Sequence, residues 1–321
     1  MMRIAISGAN GFVGRAVSLR ANAQGNHVIG LVRRPGVCES YVHECVIGDD
    51  NFAGVANGFA GLDRCDAVIH LAARVHVMRD RVANPLAAFR AVNVEGSLNV
   101  ARAALRAGAR RLVLVSSIKA LGEGEPGRPW REDDEAMPTD PYGMSKLEAE
   151  LAIREFGQTQ GLEVVVVRPP LVYGPGVGAN FLGLMKAVDM AIPLPLASVT
   201  ARRSLVYVEN LADSLLRCAS DPRAAGECFH IADDDALSIV ELLRALGDVL
   251  GRPTRLFPVP VAALHALGKL TGRHAAVDRL TGSLRLDTAH VKRTLDWQPP
   301  FTTQQGLEAT ATWYRSRGTQ I

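Results

Sequence analysis

The chain has 321 residues, of which 48% are hydrophobic and 21% are charged, and its formal net charge at pH 7 is +3. These values are typical of a globular protein with one large domain or two smaller ones. No run of lysines or arginines indicates nucleic-acid binding, and no apolar run reaches the roughly 18 residues of a membrane-spanning helix. The five cysteines show no C-x-x-C spacing, which predicts reduced thiols in a cytoplasmic protein and no metal site.

The N-terminus predicts a strand, a glycine-rich turn and a helix in succession. Residues 3–7 form a short apolar strand, Gly8-Ala-Asn10-Gly11-Phe12-Val13-Gly14 follows it, and a helical pattern continues to about Gln24. Glycines let the backbone turn tightly and approach a pyrophosphate, and the third lets the helix pack on the strand. The helix N-terminus would hold the phosphates. This context favours a dinucleotide site over a glycine turn without a ligand.

The residues after the second predicted strand, 27–32, bear on the choice of cofactor. An acidic residue at this place would bind the ribose 2′-hydroxyl of NAD. Arg33 and Arg34 stand there instead, and two guanidinium groups suit a 2′-phosphate by charge and by bidentate geometry. The sequence therefore favours NADP(H) slightly over NAD(H). The alternative is that both arginines belong to a solvated surface.

Further strands and helices alternate along the N-terminal half. Residues 45–47 predict a third strand, residues 66–73 a fourth strand that ends on small residues, and residues 85–107 a long helix with Asn93 near its middle. A buried helix asparagine is often only a structural hydrogen-bonding group. The alternation predicts an α/β fold with a doubly wound parallel sheet, the Rossmann arrangement, in which ligands bind at the carboxyl ends of the strands.

The next strand and helix carry the clearest chemistry. Residues 111–117 predict a buried strand, and Asp140 with Pro141 after it predicts a helix start. Tyr142 and Lys146 then lie about one turn apart on one helix face. The lysine would lower the pKa of the phenol, so that the tyrosine could exchange a proton with a sugar hydroxyl. The plainer interpretation is that the two residues belong to a solvated helix face.

The C-terminal half contains no second dinucleotide motif. After a strand over 162–167, prolines and glycines indicate that the chain leaves the sheet, and short strands alternate with helices over 209–220, 238–250 and 260–271. We expect residues 1–172 to form the nucleotide-binding domain. Residues 173–321 are expected to form a smaller α/β substrate-binding lobe, with some chain crossing back to the sheet.

These motifs together resemble the extended short-chain dehydrogenase/reductase family, in its nucleotide-sugar epimerase/dehydratase branch, which includes UDP-glucose 4-epimerases. The resemblance covers nearly the whole chain, and it implies a nicotinamide cofactor and a UDP-sugar substrate. The matching residues are Gly8-x-x-Gly11-x-x-Gly14, His70-Leu-Ala-Ala73, Asn93, Ser116-Ser117, Tyr142-x-x-x-Lys146, Arg168-Pro with Val172-Tyr-Gly-Pro175, and Asn210-Leu-Ala-Asp213.

The resemblance also implies roles for individual residues and no metal. The implied catalytic residues are Ser117, Tyr142 and Lys146; Ser117 is preferred to Ser116 because it stands five residues before Gly122. The implied cofactor contacts are Gly8, Asn10, Gly11, Phe12, Val13, Gly14, Arg33, Arg34, Asp49 at the adenine, Leu71, Ala72, Ala73, Asn93, Ser116, Tyr142 and Lys146. The implied substrate contacts are Ser117, Asn180, Arg203 and, less strongly, Arg279.

The chain departs from the family pattern at three places. Ile118-Lys119 stand where sugar dehydratases carry an Asp-Glu pair, so we expect no dehydratase activity. Residues 168–171, Arg-Pro-Pro-Leu, lack the asparagine that usually contacts the substrate. The two arginines after the second strand are the third departure.

Two reactions fit the resemblance. The first is reduction of a UDP-2-acetamido-2,6-dideoxy-hexos-4-ulose at C4 for surface polysaccharide synthesis, which the phrases 116–119 and 168–175 favour. The alternative is a UDP-glucose or UDP-GlcNAc 4-epimerase, which would use the same Ser, Tyr and Lys. A third possibility, from another class, is a dinucleotide-binding sensor without turnover. The family suggests a homodimer built from the helices over 85–107 and 140–160, with no nucleic-acid or membrane partner.

Overall fold

The structure is a computed structural model and describes residues 1–48, 51–55, 64–75 and 84–318. Asp49, predicted at the adenine, lies outside the described residues. In chain order the strands are β1 (Arg3–Ser7), β2 (His27–Val32), β3 (Val42–Val46), β4 (Ala67–His70), β5 (Arg111–Val115), β6 (Glu163–Arg168), β7 (Leu171–Tyr173), β8 (Arg202–Arg203), β9 (Leu205–Tyr207), β10 (Cys228–His230) and β11 (Leu237–Ser238).

Helices lie on both sides of the sheet. They are α1 (Phe12–Ala23), α2 (Pro85–Arg90), α3 (Gly96–Arg106), α4 (Pro141–Gln160), α5 (Ala179–Asp189), α6 (Val208–Ser220), α7 (Ile239–Leu250), α8 (Val261–Leu270), α9 (His274–Thr281), α10 (Ala289–Leu295) and α11 (Thr303–Gly318). None of the helices in the described ranges is long and apolar enough to cross a bilayer.

A seven-stranded parallel sheet is the centre of the fold, in the order β10-β6-β5-β4-β1-β2-β3. Its inner strands are buried on both faces, as expected for apolar runs covered by helices on each side. The strand order reverses between β1 and β4, where Ser7 is paired with His70. In such sheets the ligand crevice lies outside the carboxyl ends of the strands at this reversal. The predicted fold class is confirmed.

Two predicted elements differ from the structure for physical reasons. β3 is Val42–Val46, whereas the sequence predicts 45–47. The two differ because β3 is the edge strand, and its residues alternate between buried and exposed. A search for a continuous apolar run misses such a strand. The helix predicted over 85–107 is interrupted by a π-helical turn, Ala91–Glu95, between α2 and α3. That turn carries Asn93 with its side chain buried, and π-turns often occur at functional sites.

Helix α4 begins as its sequence predicts. The Asp140 carboxylate accepts a hydrogen bond from the Gly143 amide at 2.9 Å, and Pro141 is the first helical residue. The helix ends at Gly161, which adopts the left-handed conformation at φ +74°. α4 therefore starts at a defined residue, and its first two turns carry Tyr142 and Lys146.

The C-terminal half contributes one strand to the main sheet and two small sheets of its own. β10 returns to lie beside β6, while β7 is paired with β9 and β8 is paired with β11. The turn between β8 and β9 is held by Ser204, whose amide donates to the Leu284 carbonyl at 3.0 Å. This pairing places Arg203 beside the segment that follows α9.

Candidate active site

The glycine turn brings α1 against the carboxyl ends of β1 and β4. Gly8 has φ +71°, and a Cβ there would lie 3.3 Å from the Ala72 amide nitrogen. A Cβ on Gly14 would lie only 2.0 Å from the Gly8 carbonyl oxygen, so only glycine allows this approach of helix and turn. Among the described residues no side chain caps α1 at Gly11. Its N-terminal amides are therefore suited to binding an anion.

A cavity of about 430 Å³ opens directly in front of this turn. Seven residues predicted for the cofactor line it: Gly8, Asn10, Gly11, Arg33, Leu71, Ala72 and Ala73. The sequence analysis missed six others, namely Leu31, Val32, Ile47, Phe52, Arg74 and Val92. The strand-end positions of the first three could have revealed them, whereas nothing in the sequence marks Phe52. The predicted contacts that are not among the lining residues are Phe12, Val13, Gly14, Arg34, Asn93, Ser116, Tyr142 and Lys146.

A chain of buried hydrogen bonds fixes the backbone at the edge of this cavity. The Ser7 hydroxyl accepts from the amides of Leu71 and Ala72 at 3.0 and 3.1 Å, and it lies 2.6 Å from His70 Nδ1. His70 Nε2 lies 3.0 Å from Ser97 Oγ, whose hydrogen is donated to the Asn93 carbonyl. His70 therefore donates from Nε2 and accepts at Nδ1. Burial, with a smaller effect of the Lys146 charge, lowers its pKa to about 3, so it stays neutral.

Asn93 links this edge to the helix that carries the tyrosine. Its amide nitrogen donates to the Arg74 carbonyl at 3.1 Å and to Ser145 Oγ at 2.9 Å, and its amide oxygen accepts from the Arg74 amide. Ser145 in turn donates to the Tyr142 carbonyl at 2.8 Å. Both amide hydrogens of Asn93 are thus used within the protein, which favours a positioning role over donation to the cofactor.

The three predicted catalytic residues meet at the carboxyl end of β5. The Ser117 hydroxyl accepts a hydrogen bond from the Lys119 amide at 3.2 Å, and it lies close enough to the Tyr142 phenol to lower the pKa of that group. Lys146 is 2% exposed, and its Nζ donates to the Val115 carbonyl at 2.8 Å. The Phe89 ring packs edge-on against Tyr142 at 6.0 Å between centroids. The arrangement excludes the solvated-face interpretation.

The predicted effect of the lysine on the tyrosine is wrong for the protein by itself. Burial raises the pKa of Tyr142 to about 12, although the Ser117 hydrogen bond acts in the opposite direction. Burial also lowers the pKa of Lys146 to about 8. Removal of both groups from water disfavours their charged forms, and this effect outweighs the attraction that the spacing suggested. The phenol is therefore protonated at neutral pH.

Ser116 and the glycine turn are consistent with a nicotinamide dinucleotide. Ser116 Oγ is buried at the end of β5 and has no hydrogen-bond partner among the described residues. A buried hydroxyl without a hydrogen-bond partner costs free energy, so a polar group of a ligand is expected to be its partner. Its position one residue before Ser117 suits the polar end of a nicotinamide ring. The described ranges contain no cluster of side chains able to hold a metal ion.

The predicted substrate residues are only partly brought together. Arg203 is half-buried, and its Nη1 donates to the carbonyls of Arg279 and Gly282 at 3.0 and 2.9 Å. Burial lowers the pKa of Arg203, and the Arg279 charge acts in the same direction. Asn180 is exposed at the start of α5, and Arg34 is exposed after β2. Arg203 and Arg279 therefore form a cationic pair at the end of α9, whereas Asn180 lies at the start of α5.

The glycine turn follows β1, at the point where the order of the parallel strands reverses, and the Ser, Tyr and Lys lie at the end of β5. This combination defines a nicotinamide-dependent enzyme of the Rossmann class. The chain belongs to the NAD dependent epimerase/dehydratase family, whose family model matches residues 4–232. The resemblance found in the motifs is thus confirmed.

Relatives and solved structures agree with this assignment. The chain is 39% identical over 310 residues to a UDP-glucose 4-epimerase of Vibrio cholerae, which covers 96% of this chain and 94% of the relative. A UDP-N-acetylglucosamine 4-epimerase from Bacillus cereus has a TM-score of 0.78 at 22% identity, with 98% and 100% of the two chains covered. A Thermus thermophilus UDP-glucose 4-epimerase in complex with NAD also has a TM-score of 0.78, at 22% identity, with 98% and 99% covered. At this identity the structural likeness shows the fold alone.

Proposed function

We propose that this protein transfers hydride at C4 of a UDP-sugar with a nicotinamide dinucleotide. The observation that carries the proposal is the meeting of Ser117, Tyr142 and Lys146 at the carboxyl end of β5. This strand is the neighbour of β4, after which residues 71–74 line the cavity at the glycine turn. A phenol held by a serine at a strand end can exchange a proton with a substrate hydroxyl. The same placement would serve no purpose in a sensor without turnover.

Separate groups of residues bind the cofactor, transfer the proton and bind the substrate. The N-terminus of α1 binds the pyrophosphate, Ser116 binds the nicotinamide end and Lys146 the adjoining ribose. Tyr142 exchanges the proton of the C4 oxygen, and Ser117 holds that oxygen by hydrogen bonding. The bound dinucleotide supplies the hydride acceptor or donor and, when oxidised, a positive charge that favours the tyrosinate. Arg203 and Arg279 bind the diphosphate of the substrate.

Two reactions use this arrangement, and we place 4-epimerisation first. The Vibrio cholerae relative supports it, since that protein is named a UDP-glucose 4-epimerase and is similar along nearly its whole length. The second candidate is reduction of a 4-keto UDP-sugar, such as a UDP-2-acetamido-2,6-dideoxy-hexos-4-ulose. Arg33 favours it, because this guanidinium lines the dinucleotide cavity and suits the 2′-phosphate of an exchangeable NADPH.

We also propose that the enzyme is a cytoplasmic homodimer with residues 1–172 as the nucleotide domain and residues 173–321 as the substrate lobe. Exposed Leu151 on α4 supports the dimer, because a large apolar side chain 61% exposed on that helix is suited to burial against a second copy. Size-exclusion chromatography with light scattering tests the oligomeric state.

Product analysis separates the two reactions. Purified protein is incubated with UDP-glucose and UDP-GlcNAc without added cofactor, and with a 4-keto UDP-sugar plus NADH or NADPH. Appearance of the C4 epimer without added cofactor supports epimerisation, whereas stoichiometric oxidation of the reduced cofactor with the keto sugar supports the reductase. Turnover of neither substrate class contradicts the proposal.

The tyrosine variant tests the chemistry itself. Tyr142→Phe keeps the ring and removes the hydroxyl, so kcat is expected to fall by about 100-fold or more. Tyr314→Phe is the matched control, because Tyr314 lies on α11 and its hydroxyl donates to Asp189 on α5 at 3.1 Å, and it is expected to keep full activity. Full activity of Tyr142→Phe on the accepted sugar would exclude a proton-transfer role.

A further inference from the structure

Lys119 lies on the short turn that follows Ser117 and is paired with two carboxylates. Its Nζ lies 2.7 Å from Asp140 Oδ2 and 3.0 Å from Glu123 Oε1. Glu123 and Asp140 also lie close enough to shift each other's pKa. The Lys119 side chain is 26% exposed, so this charge cluster is only partly screened by water. One cation thus contacts two acidic groups that also face each other.

The cluster joins the two segments that carry the catalytic serine and tyrosine. Asp140 uses one oxygen for Lys119 and the other to cap α4 at the Gly143 amide, at 2.9 Å. The backbones also touch, since a Cβ on Gly143 would lie 2.4 Å from the Lys119 carbonyl oxygen. Ser117 and Tyr142 face each other across the same gap. The ion pair between Lys119 and Asp140 and the backbone contact therefore fix the distance between the turn and the helix.

The protonation of the two carboxyls follows from these contacts. Burial raises the pKa of both, but hydrogen bonds from Glu123, Lys119 and the Gly143 amide leave the pKa of Asp140 lowered overall. Burial and the hydrogen bond to Asp140 raise the pKa of Glu123. The other charged and titratable groups that face the cluster are Tyr142 on α4, which feels the Asp140 charge, and Arg203 on β8, which feels the Glu123 charge. The first proton that the pair takes up on acidification therefore goes to Glu123.

We propose that Lys119 is a positioning residue: it keeps Asp140 ionised as the cap of α4 and thereby holds Tyr142 against Ser117. The proposal deepens the proposed function and rests on it for the activity measurements. Without the ammonium, Asp140 competes with Glu123 for a proton, and a protonated Asp140 is a poorer cap. The start of α4 then moves away from the turn, and Tyr142 moves away from Ser117.

The kinetic test compares Lys119→Met with the wild type over a range of pH. We expect kcat to fall by about 10-fold to about 100-fold, as for a misplacement of about 1 Å at a reacting group. The loss is expected to be largest at acid pH, so the acid limb of the kcat profile moves to higher pH, while KM changes by less than about 3-fold. Lys186→Met on α5 is the matched control for the loss of an exposed lysine, and it should leave the profile unchanged.

Two rescue variants make the test specific. Lys119→Arg retains both ion pairs and is expected to restore kcat to within about 3-fold of the wild type. In Lys119→Met/Glu123→Gln only one carboxyl remains, so Asp140 ionises again and the acid limb returns. Failure of the double variant to recover, or a raised KM with unchanged kcat, would overturn the proposal and indicate a direct substrate contact. If Lys119→Met does not fold, recovery of both folding and the acid limb in the double variant decides the question.

Amide hydrogen exchange provides a readout that needs no substrate. Residues 140–146 are expected to exchange faster in Lys119→Met than in the wild type at acid pH, with recovery in the double variant. If this pattern appears in a protein that converts no UDP-sugar, the positioning role stands and the proposed function fails. Unchanged exchange in Lys119→Met refutes the positioning role whatever the activity.

Discussion

The buried ion pair between Glu150 and Arg168 predicts a large loss of stability when Glu150 loses its charge. Glu150 lies on α4, one turn after Lys146, and Arg168 ends β6. Arg168 Nη2 lies 2.6 Å from Glu150 Oε2, and the two side chains are only 7% and 2% exposed. A second contact runs from Arg168 Nη1 to the Glu132 carbonyl at 3.0 Å. The pair therefore fixes α4 to the sheet in a region shielded from solvent.

Replacing Glu150 by glutamine leaves the shape but removes the charge. An uncompensated buried guanidinium costs about 3–5 kcal/mol, so the free energy of unfolding should fall by about that amount. Glu150→Gln also acts on Lys146, since the Glu150 charge opposes the effect of burial on the pKa of that lysine. The pKa of Lys146 therefore falls below about 8, and the alkaline limb of kcat moves to lower pH.

The sign of the stability effect with pH follows from the same lysine. Its folded pKa of about 8 is below the unfolded value of 10.5, so the unfolded chain binds more protons between these pH values. The contribution of Lys146 to stability therefore increases with pH across that window. In Glu150→Gln the window extends further toward neutral pH.

Urea unfolding and a pH series of kcat measure the two effects. Glu148→Gln is the matched control, because Glu148 is on the same helix and is paired with Arg90 at 2.5 Å, but with side chains 35% and 51% exposed. An exposed pair contributes about 0–1 kcal/mol, so this variant should unfold almost as the wild type does. If both variants unfold at the same urea concentration, or if the alkaline limb of Glu150→Gln does not move, the reasoning from burial is refuted.

Two further predictions concern the dinucleotide site. Gly14→Ala places a methyl group against the Gly8 carbonyl, so we expect a loss of about 1–3 kcal/mol in stability and weaker dinucleotide binding in a fluorescence titration. Gly183→Ala on α5 is its control: no described atom lies within 4 Å of the new Cβ, and stability should rise by up to about 1 kcal/mol. Arg33→Ser should weaken NADPH binding about 10-fold or more and change NADH binding little; equal effects on both would show that this arginine does not select the cofactor.

The sequence predicted the sheet and its glycine turn because both depend on local patterns. Apolar runs specify the inner strands, and the turn needs glycine wherever backbone approaches backbone, as at Gly8 and Gly14. The start of α4 was predicted for the same reason, since a cap and a proline are local signals. The π-turn at Asn93 was missed because it changes the helix period without changing the residue types.

The electrostatics of the site could not be predicted from spacing. The four-residue spacing of Tyr142 and Lys146 gave the correct helix face, but the effect of one charge on another depends on burial, which is set by distant segments. Phe89, on another helix, packs against the Tyr142 ring, and the Val115 carbonyl accepts from the lysine. Burial then raises the pKa of Tyr142, opposite to the predicted direction, and lowers that of Lys146.

The turn that follows Ser117 and the cationic pair of Arg203 and Arg279 are both connected to the segment that follows α9. After Glu123 the chain runs along the segment that follows α9: the Glu125 amide donates to the Ser283 carbonyl at 3.1 Å, and Arg285 Nη2 lies 2.5 Å from Glu125 Oε1. The same segment holds β8, because the Leu284 amide donates to the Arg202 carbonyl at 2.9 Å.

A substrate diphosphate at Arg203 and a sugar at Tyr142 would therefore contact parts of one connected scaffold. The span between phenol and guanidinium is then fixed by backbone pairing and not by flexible side chains. Because Ser117, Tyr142 and Lys146 would serve the two proposed reactions, epimerisation and reduction, equally, the choice between these reactions must depend on other features. It depends on whether the keto sugar can rotate to present its other face within this fixed span, and on whether the cofactor leaves between turnovers.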